Sequence, residues 1–104
     1  MQDPFIFPDW PAPASIHAVS TTRLAAGISS PPFDRCNLGD HVGDDADNVA
    51  GNRALLRAQL LLPNEPLWLR QIHGVEVFDA SKIEIICNHA ITADASVTRT
   101  AGQV

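Results

Sequence analysis

The amino-acid sequence predicts a mixed α/β domain, on the basis of the order of its apolar patterns. One short segment has the alternation of a strand, an amphipathic helix follows it, and several further apolar segments with strand character follow the helix. This order of elements is typical of domains that combine a sheet with helices. The 104 residues are enough for one small domain, and the hydrophobic fraction of 45% is ordinary for a globular protein.

The first half of the chain is predicted to contain a strand and a long loop. The first 15 residues are rich in proline and aromatic residues and should run extended across the surface. Ile16–Thr22 alternates and is rich in β-branched residues, which predicts a strand. Glycines and prolines recur through residues 24–45, a loop of about 20 residues, and loops of that length are usually functional or disordered. Three apolar anchors favour function: Phe33, Leu38 and Val42.

A helix is predicted after this loop, with Asp45 or Asp47 as its N-cap and Pro63 as its stop. Four residues at spacings of four, three and four would form one stripe, apolar except for an arginine. They are Val49, Arg53, Leu56 and Leu60. With Asp44, the two aspartates superficially resemble a calcium-binding loop. The glycine and glutamate that such a loop requires are absent, so helix capping explains these carboxylates better.

Three strands are predicted after the helix, and a fourth lies near the end of the sequence. They are Leu67–Ile72, Val75–Asp79, Ile83–Cys87 and Asp94–Thr98. Residues 100–104 have the character of a turn that leads into another strand, and the sequence stops where that strand would begin. We therefore expect residues 1–104 to be the N-terminal portion of a single, longer domain.

Composition narrows the class of partner. The formal net charge is −5 and the seven basic residues are scattered, which argues against nucleic acid as a partner. The N-terminus lacks the basic and apolar regions of a secretory signal, and no apolar segment approaches the roughly 20 residues of a membrane helix. Cys36 and Cys87 are the only cysteines and are expected to be free. We predict a cytoplasmic protein without a membrane partner.

His73 is the first candidate for a chemical role. It precedes Gly74 and lies between two predicted strands, so the glycine would let the backbone turn sharply and direct the imidazole out of the sheet. An imidazole in that position suits metal binding or proton transfer. The alternative is a hairpin turn with a polar residue at its tip.

Two cysteine–histidine pairs are weaker candidates for a metal site. Cys87 and His89 would share one face of a strand, as metal ligands can. Zinc requires three or four protein ligands, so a buried thiol beside a surface histidine is the better interpretation of this pair. Cys36 and His41 lie in the long loop, and nothing in the sequence orients them toward one ion.

Arg23 is a candidate for anion binding. It follows the first predicted strand and stands beside the long loop, and its guanidinium matches the geometry of phosphate. A surface arginine without such a role is the alternative. The sequence contains no Walker loop, no glycine-rich dinucleotide turn, and neither a Gly-x-Ser-x-Gly nor a His-Glu-x-x-His motif.

Several short motifs occur together along the chain. Thr21–Arg23 (TTR) precedes Asn37–Asp45 (NLGDHVGDD), and Asn52-Arg53 lies in the predicted helix. Gln71–Gly74 (QIHG) and Ala93–Ala95 (ADA) follow. In this order and at these spacings the chain resembles the N-terminal part of the YfiH-type family, also called the laccase-domain or multicopper polyphenol oxidase family. The resemblance extends from about residue 6 to residue 104.

The resemblance implies a single-domain α/β sandwich with a mixed sheet, of roughly twice this length. It also implies one zinc ion held by two histidines and one cysteine. Among these ligands only His73 has a counterpart here. The family's cysteine belongs to a Thr-Ala-Asp-Cys motif expected just after Val104, and its second histidine to a later His-Ala-Gly-Trp motif. Cys36 and Cys87 do not match that cysteine.

Members of this family are associated with phosphorolysis of purine nucleosides such as adenosine, inosine and methylthioadenosine, and with adenosine deamination. The implied partners are therefore a purine nucleoside and phosphate. By this resemblance His73 would be a zinc ligand, and three residues would line the catalytic pocket: Arg23, Asn37 and Gln71. Arg53 would be either another pocket residue or a buried helix arginine paired with a loop carboxylate.

Three hypotheses for function follow. The first is a zinc-dependent purine nucleoside phosphorylase, with adenosine deaminase activity as a further possibility, of which this chain alone is inactive because the later cysteine and histidine ligands are missing. The second is a non-catalytic binding module that needs another chain, as a homo-oligomer or with a separate C-terminal half. The third is copper-dependent oxidation of phenols, as in a laccase, which requires several soft and imidazole ligands.

Overall fold

The structure is a computed structural model that describes residues 3–82 and 91–104. The chain divides into two compact units, residues 1–56 and residues 57–104. One α-helix and six short strands are present in the described residues, and the strands pair in both antiparallel and parallel directions. This confirms the predicted α/β class with mixed strand pairing. That residues 1–104 are the N-terminal portion of one domain stays a prediction.

The first unit begins with a two-stranded antiparallel sheet. Strand β1 (Phe5–Ile6) pairs with strand β2 (Ser20–Thr21), with Phe5 opposite Thr21. The predicted strand Ile16–Thr22 is therefore much shorter than expected. Its partner β1 lies between two prolines, Pro4 and Pro8, which have no N–H group to extend a ladder.

Residues 24–45 contain neither helix nor strand, which confirms the predicted long loop. Ala25 and Ser29 are its buried residues, whereas the expected anchor Val42 is exposed. The loop folds back on itself where the N–H of Ser29 donates to the carbonyl of Arg35 at 3.0 Å. A Cβ atom on Gly27 would lie 2.2 Å from that carbonyl oxygen, so this close approach requires glycine.

Helix α1 runs from Ala46 to Gln59. Asp45 is its N-cap, because its Oδ1 accepts from the N–H groups of Asp47 and Asn48 at 2.8 and 3.2 Å. Asp47 lies in the first turn, where its charge favours the helix dipole. Asp44 is not a cap, contrary to expectation, because its carboxylate binds side chains of the loop instead.

The helix ends four residues before Pro63, the predicted stop. Leu61 adopts a left-handed φ of 52°, its N–H donates to the carbonyl of Ala58, and the N–H of Leu62 donates to that of Arg57. This pair of bonds is a Schellman motif, with Leu61 at the position usually taken by glycine. Pro63 therefore follows a helix that has already ended, and Leu60 lies outside it.

The buried face of α1 carries one polar residue. Val49, Asn52 and Leu56 are buried, and Asn52 is 0% exposed. The predicted stripe thus contributes Val49 and Leu56, whereas Asn52 was not among its residues. The half-buried Arg53 is the next residue along the helix.

The second unit contains two pairs of parallel strands, in which each of two earlier strands pairs with one of two later strands. Strand β3 (Leu69–Arg70) pairs with β5 (Ile91–Thr92), and β4 (Val77–Asp79) pairs with β6 (Ala95–Val97). The short 3₁₀-helix Ala80–Lys82 follows β4. Because β3 and β4 are not partners, the turn between them is not a β-hairpin.

Three of the strands predicted after the helix are present in shortened form, and β5 was not predicted. The strand expected at residues 83–87 lies outside the described residues. Near the end, the N–H of Gln103 donates to the carbonyl of Thr100 at 3.4 Å and Gly102 has a φ of 83°, which confirms the turn expected there. No helix in the described ranges is long and apolar enough to cross a membrane.

The contribution of the Asp44 carboxylate to the free energy of unfolding should depend on pH. The Ser29 hydroxyl bond lowers its pKa most, partial burial acts in the opposite direction, and bonds from Asn37 and the Asp45 N–H lower the pKa further. The folded-state pKa therefore lies below the ordinary 3.8. The ionised Asp44 carboxylate therefore stabilises the fold fully above the ordinary pKa of 3.8, and this stabilisation is lost as the pH falls through the folded-state pKa.

We therefore expect Asp44→Asn to lower the free energy of unfolding at neutral pH, and the difference from the unsubstituted chain to shrink below about pH 4. Urea unfolding across this pH range measures both effects. Asp9→Asn, at an exposed position outside any helix or strand, is the control for removing one charge. A deficit that stays constant down to the most acidic pH would contradict the role given to Asp44.

Candidate functional site

The four residues expected at the site fall into two pairs, one in each unit. Arg23 and Asn37 lie together on a groove of the first unit. Gln71 and His73 lie on the turn between β3 and β4 in the second unit.

An open groove of about 630 Å³ lies beside the end of β2. Its walls are formed by residues of the β2 end and the long loop. They are Thr21–Arg23, Pro32–Asn37 and Val42. Two of the lining residues are basic, Arg23 and Arg35, and one is acidic, Asp34. The other lining residues are apolar or neutral polar. The surroundings therefore suit an anionic ligand.

Arg23 follows β2 directly, as the sequence predicts. Its side chain is 80% exposed, and its Nη2 lies 3.6 Å from Oδ2 of Asp34. An exposed ion pair of this kind contributes only about 0–1 kcal/mol, so a stronger anion could compete with Asp34 for the guanidinium. Arg35 is more constrained, because its Nη2 donates to the carbonyl of Leu24 at 2.7 Å.

Asn37 lies on the groove, but its amide group holds the loop. Its Nδ2 donates to the Gly39 carbonyl at 3.0 Å and to Oδ2 of Asp44 at 3.1 Å, and its Oδ1 accepts from the Gly39 N–H at 3.1 Å. Asparagine bonds of this kind stabilise a local turn. The contribution of Asn37 to a ligand site is therefore to fix the wall rather than to offer an unpaired amide.

Asn52 and Arg53 attach the Asn37–Asp45 motif to helix α1. Oδ1 of Asn52 accepts from the Ile28 N–H at 2.7 Å, and its Nδ2 donates to Ser29 Oγ and the Asn37 carbonyl, both at 2.8 Å. The Ser29 hydroxyl in turn donates to Oδ2 of Asp44 at 2.5 Å. The amide of one helix residue thus satisfies polar groups on both arms of the loop.

Arg53 makes a second attachment to the same motif. Its Nε and Nη2 donate to the Leu38 carbonyl at 3.0 and 2.7 Å, and its Nη2 lies 3.8 Å from Oδ2 of Asp40. The side chain is only 18% exposed. Of the two expected roles for Arg53, the helix arginine beside a loop carboxylate is the one that the structure supports.

The cysteine–histidine pairs do not form a metal site in the described residues. Cys36 is a free, half-buried thiol, and burial raises its pKa, which makes a thiolate less available. Nδ1 of His41 lies 3.5 Å from Asp40 Oδ1. Within residues 3–82 and 91–104, no three His, Cys, Asp or Glu side chains are grouped to hold a metal ion. Cys87 and His89 lie outside the described residues.

The turn that carries Gln71 and His73 has an unusual backbone. His73 has a φ of 58°, in the left-handed region that costs about 1–2 kcal/mol for a residue with a side chain. We expected Gly74 to provide this freedom, and that expectation is wrong, because the left-handed residue is the histidine itself. A Cβ atom on Gly74 would lie 3.4 Å from Oδ2 of Asp94.

The carboxylate of Asp94 fixes the backbone of this turn. Its Oδ1 accepts from the N–H groups of Ile72 and His73 at 3.0 and 2.6 Å, and its Oδ2 accepts from the Gly74 N–H at 2.8 Å. Partial burial raises the pKa of Asp94, but these bonds and the His73 imidazole together outweigh it and leave the pKa below its ordinary value. The carboxylate is therefore ionised at neutral pH.

Sequence reasoning missed the role of Asp94. The residue belongs to the Ala93–Ala95 motif quoted for the family, but that motif carried no assigned role. Its partners lie 20 to 22 positions earlier in the chain, so no local pattern connects them. The only signal was the co-occurrence of two short motifs, QIHG and ADA.

The side chains of Gln71 and His73 are both exposed on this turn. Zinc in proteins takes at least three protein ligands, and this turn supplies one imidazole. This turn could therefore supply at most one of the three or four protein ligands that zinc requires.

Comparison with known proteins identifies the family. Residues 17–104 match the family model described as multi-copper polyphenol oxidoreductase laccase. The chain is 42% identical over 99 residues to the Escherichia coli protein named purine nucleoside phosphorylase YfiH, covering 95% of this chain and 39% of that protein. It is 45% identical over 101 residues to a purine nucleoside phosphorylase of Xylella fastidiosa, covering 92% of this chain and 39% of the relative.

A solved structure has the same fold. The crystal structure of the Neisseria meningitidis protein NMB0706, of the DUF152 family, aligns with a TM-score of 0.82 and 37% sequence identity. The alignment covers 97% of this chain and 39% of that one. The chain spans about 39% of the length of these relatives. The family expected from the motifs is thereby confirmed, and the chain belongs to the multi-copper polyphenol oxidoreductase laccase family, which includes the YfiH-type proteins.

Proposed function

We propose that this chain is part of a purine nucleoside phosphorylase that acts on adenosine, inosine or methylthioadenosine. The observation that carries the proposal is its identity of 42–45% with relatives named purine nucleoside phosphorylase. In phosphorolysis, a phosphate oxygen forms a bond to C1′ of the ribose as the C1′–N9 bond to the purine breaks. The products are ribose 1-phosphate, or 5-methylthioribose 1-phosphate when methylthioadenosine is the substrate, and a purine base, which takes up a proton as it leaves.

Arg23 is proposed to bind the phosphate. Its guanidinium is exposed on the groove, and among the described residues it is engaged by one loose ion pair, with Asp34. A guanidinium can make two parallel, charge-assisted hydrogen bonds to phosphate, which are roughly twice as strong as neutral ones. Phosphate would therefore displace Asp34 at small cost.

His73 is proposed as one zinc ligand, and Gln71 as a residue that lines the nucleoside pocket. Both side chains are exposed on a turn whose backbone is fixed by three hydrogen bonds to Asp94. A rigid turn with an exposed imidazole suits a ligand that must keep one orientation. Under this proposal the remaining ligands come from the family's Thr-Ala-Asp-Cys and His-Ala-Gly-Trp motifs, which the 104 residues do not contain, so the chain alone is expected to be inactive.

Copper-dependent oxidation of phenols is the second candidate, because the description of the matching family model names it. It differs from phosphorolysis in its co-substrate, since it consumes oxygen and does not require phosphate. Oxygen uptake in the presence of copper and a phenol distinguishes the two.

Replacing the matched 99-residue segment of the Escherichia coli relative by this chain gives a protein in which the proposal can be tested. We expect this chimera to release hypoxanthine from inosine only when phosphate is present, measured by chromatography. His73→Ala in the chimera should abolish release, whereas His17→Ala, at an exposed position outside both candidate sites, should not. We expect no release from the 104-residue chain alone.

Base release by the chimera that persists in His73→Ala would contradict the role given to His73. Base release without phosphate, or oxygen uptake with a phenol in its place, would contradict phosphorolysis itself.

Removing the Arg23 guanidinium should weaken phosphate binding selectively. We expect Arg23→Ala in the chimera to raise the KM for phosphate roughly 10- to 100-fold, the effect of losing hydrogen bonds to a charged ligand. The KM for inosine should change much less. Initial rates at varied phosphate measure this effect.

Arg57→Ala is the matched control, because Arg57 also forms one loose, exposed ion pair, at 3.5 Å from Glu65. Equal KM values for phosphate in both variants would remove Arg23 from the phosphate site.

A further inference from the structure

We propose that Asp94 is a positioning residue, whose carboxylate fixes the Gln71–Gly74 turn so that His73 presents its imidazole in one orientation. The inference rests on the proposed role of His73 and deepens it. It assigns to Asp94 no contact with substrate.

Three successive backbone N–H groups converge on the two oxygens of one carboxylate. The distances from Ile72, His73 and Gly74 are 3.0, 2.6 and 2.8 Å. An ionised carboxylate accepts several hydrogen bonds and donates none, which is what three convergent donors require. An asparagine would place an N–H₂ group against at least one of these donors. The charge and the shape of aspartate are therefore both needed here.

The backbone of Asp94 is itself held in place. Its N–H donates to the Glu76 carbonyl at 3.0 Å, and the N–H of Ala95 donates to the same carbonyl at 3.3 Å. Ala93 is 1% exposed, and its N–H donates to the Arg70 carbonyl at 3.2 Å. Residues 93–95 thus bind both ends of the turn through their backbone and its middle through the Asp94 side chain.

The conformation of His73 explains why such a clamp is needed. A left-handed φ of 58° at a residue with a side chain persists only when its surroundings determine it. The backbone angles of a residue set the direction of its Cα–Cβ bond, and so they set where the imidazole can reach. Glycine would adopt this conformation without strain, so keeping histidine there indicates that the imidazole is required.

Nuclear magnetic resonance tests the geometry without reference to activity. In the unsubstituted chain we expect scalar couplings across the hydrogen bonds between Asp94 Cγ and the amide nitrogens of residues 72–74. Because the asparagine N–H₂ group cannot accept a hydrogen bond, Asp94→Asn should remove at least one of these couplings and speed hydrogen exchange of the amide that loses its acceptor by about tenfold or more. Glu76→Gln, which removes a neighbouring negative charge and leaves Asp94 intact, should change neither.

The couplings in the unsubstituted chain decide the geometric part even if Asp94→Asn does not fold. Their absence, or protection of all three amides that survives Asp94→Asn, would overturn the inference. His73→Gly should retain the couplings, since glycine suits the left-handed position, which separates the clamp from the imidazole that it orients.

Activity of the chimera tests the functional part. We expect Asp94→Asn to lower kcat/KM for inosine about 10- to 100-fold, as removal of groups that orient a ligand typically does, with the KM for phosphate unchanged. If His73→Ala is inactive and Asp94→Asn is fully active, the positioning role is wrong and the proposed function stands. If His73→Ala is fully active, the role of His73 fails and the inference fails with it.

Discussion

The side-chain amide of Asn52 is the interaction on which the first unit depends. Residues 3–56 of this unit contain two strands of two residues each, so strand ladders satisfy few of its polar groups. Asn52 is fully buried and bonds to the adjacent residues Ile28 and Ser29 and to Asn37, which lie at two separate points of the long loop. Each buried donor or acceptor left without a partner would cost about 1–3 kcal/mol, so one amide sets the shape of the loop.

Asp94 serves the second unit in a similar way. There too the strands have two or three residues, and one polar side chain satisfies consecutive backbone groups of a turn. The two units thus share a physical solution, in which a short polar side chain takes the place of a longer strand ladder. In both, the segment held in this way carries family motifs, NLGDHVGDD in one and QIHG in the other.

What the sequence could predict follows the range of each interaction. The cap at Asp45 and the body of α1 depend on neighbouring residues, and both were predicted. The helix ends because Leu61 adopts a left-handed conformation, which a leucine in the sequence does not indicate. The sequence therefore predicts Pro63 as the stop instead. The predicted strands are longer than the observed ones, because the length of a strand depends on its pairing partner elsewhere in the chain.

The site shows the same limit. Arg23 was placed correctly at the end of a strand beside a long loop, since that position follows from local pattern. Asn52 and Asp94 act on residues 15 to 24 positions away, and neither role could be read from spacing. Family resemblance selected His73, but only the structure reveals that this histidine, rather than Gly74, carries the left-handed backbone.

The most direct test of the proposed role of His73 is the zinc affinity of the chimera, measured by competition with a chelator. We expect His73→Ala to weaken zinc binding strongly, because a site with three protein ligands would lose one of them. His17→Ala, which removes an exposed imidazole outside both candidate sites, should bind zinc as the unsubstituted chimera does. Equal affinity in His73→Ala and the unsubstituted chimera would contradict the assignment of His73 as a metal ligand.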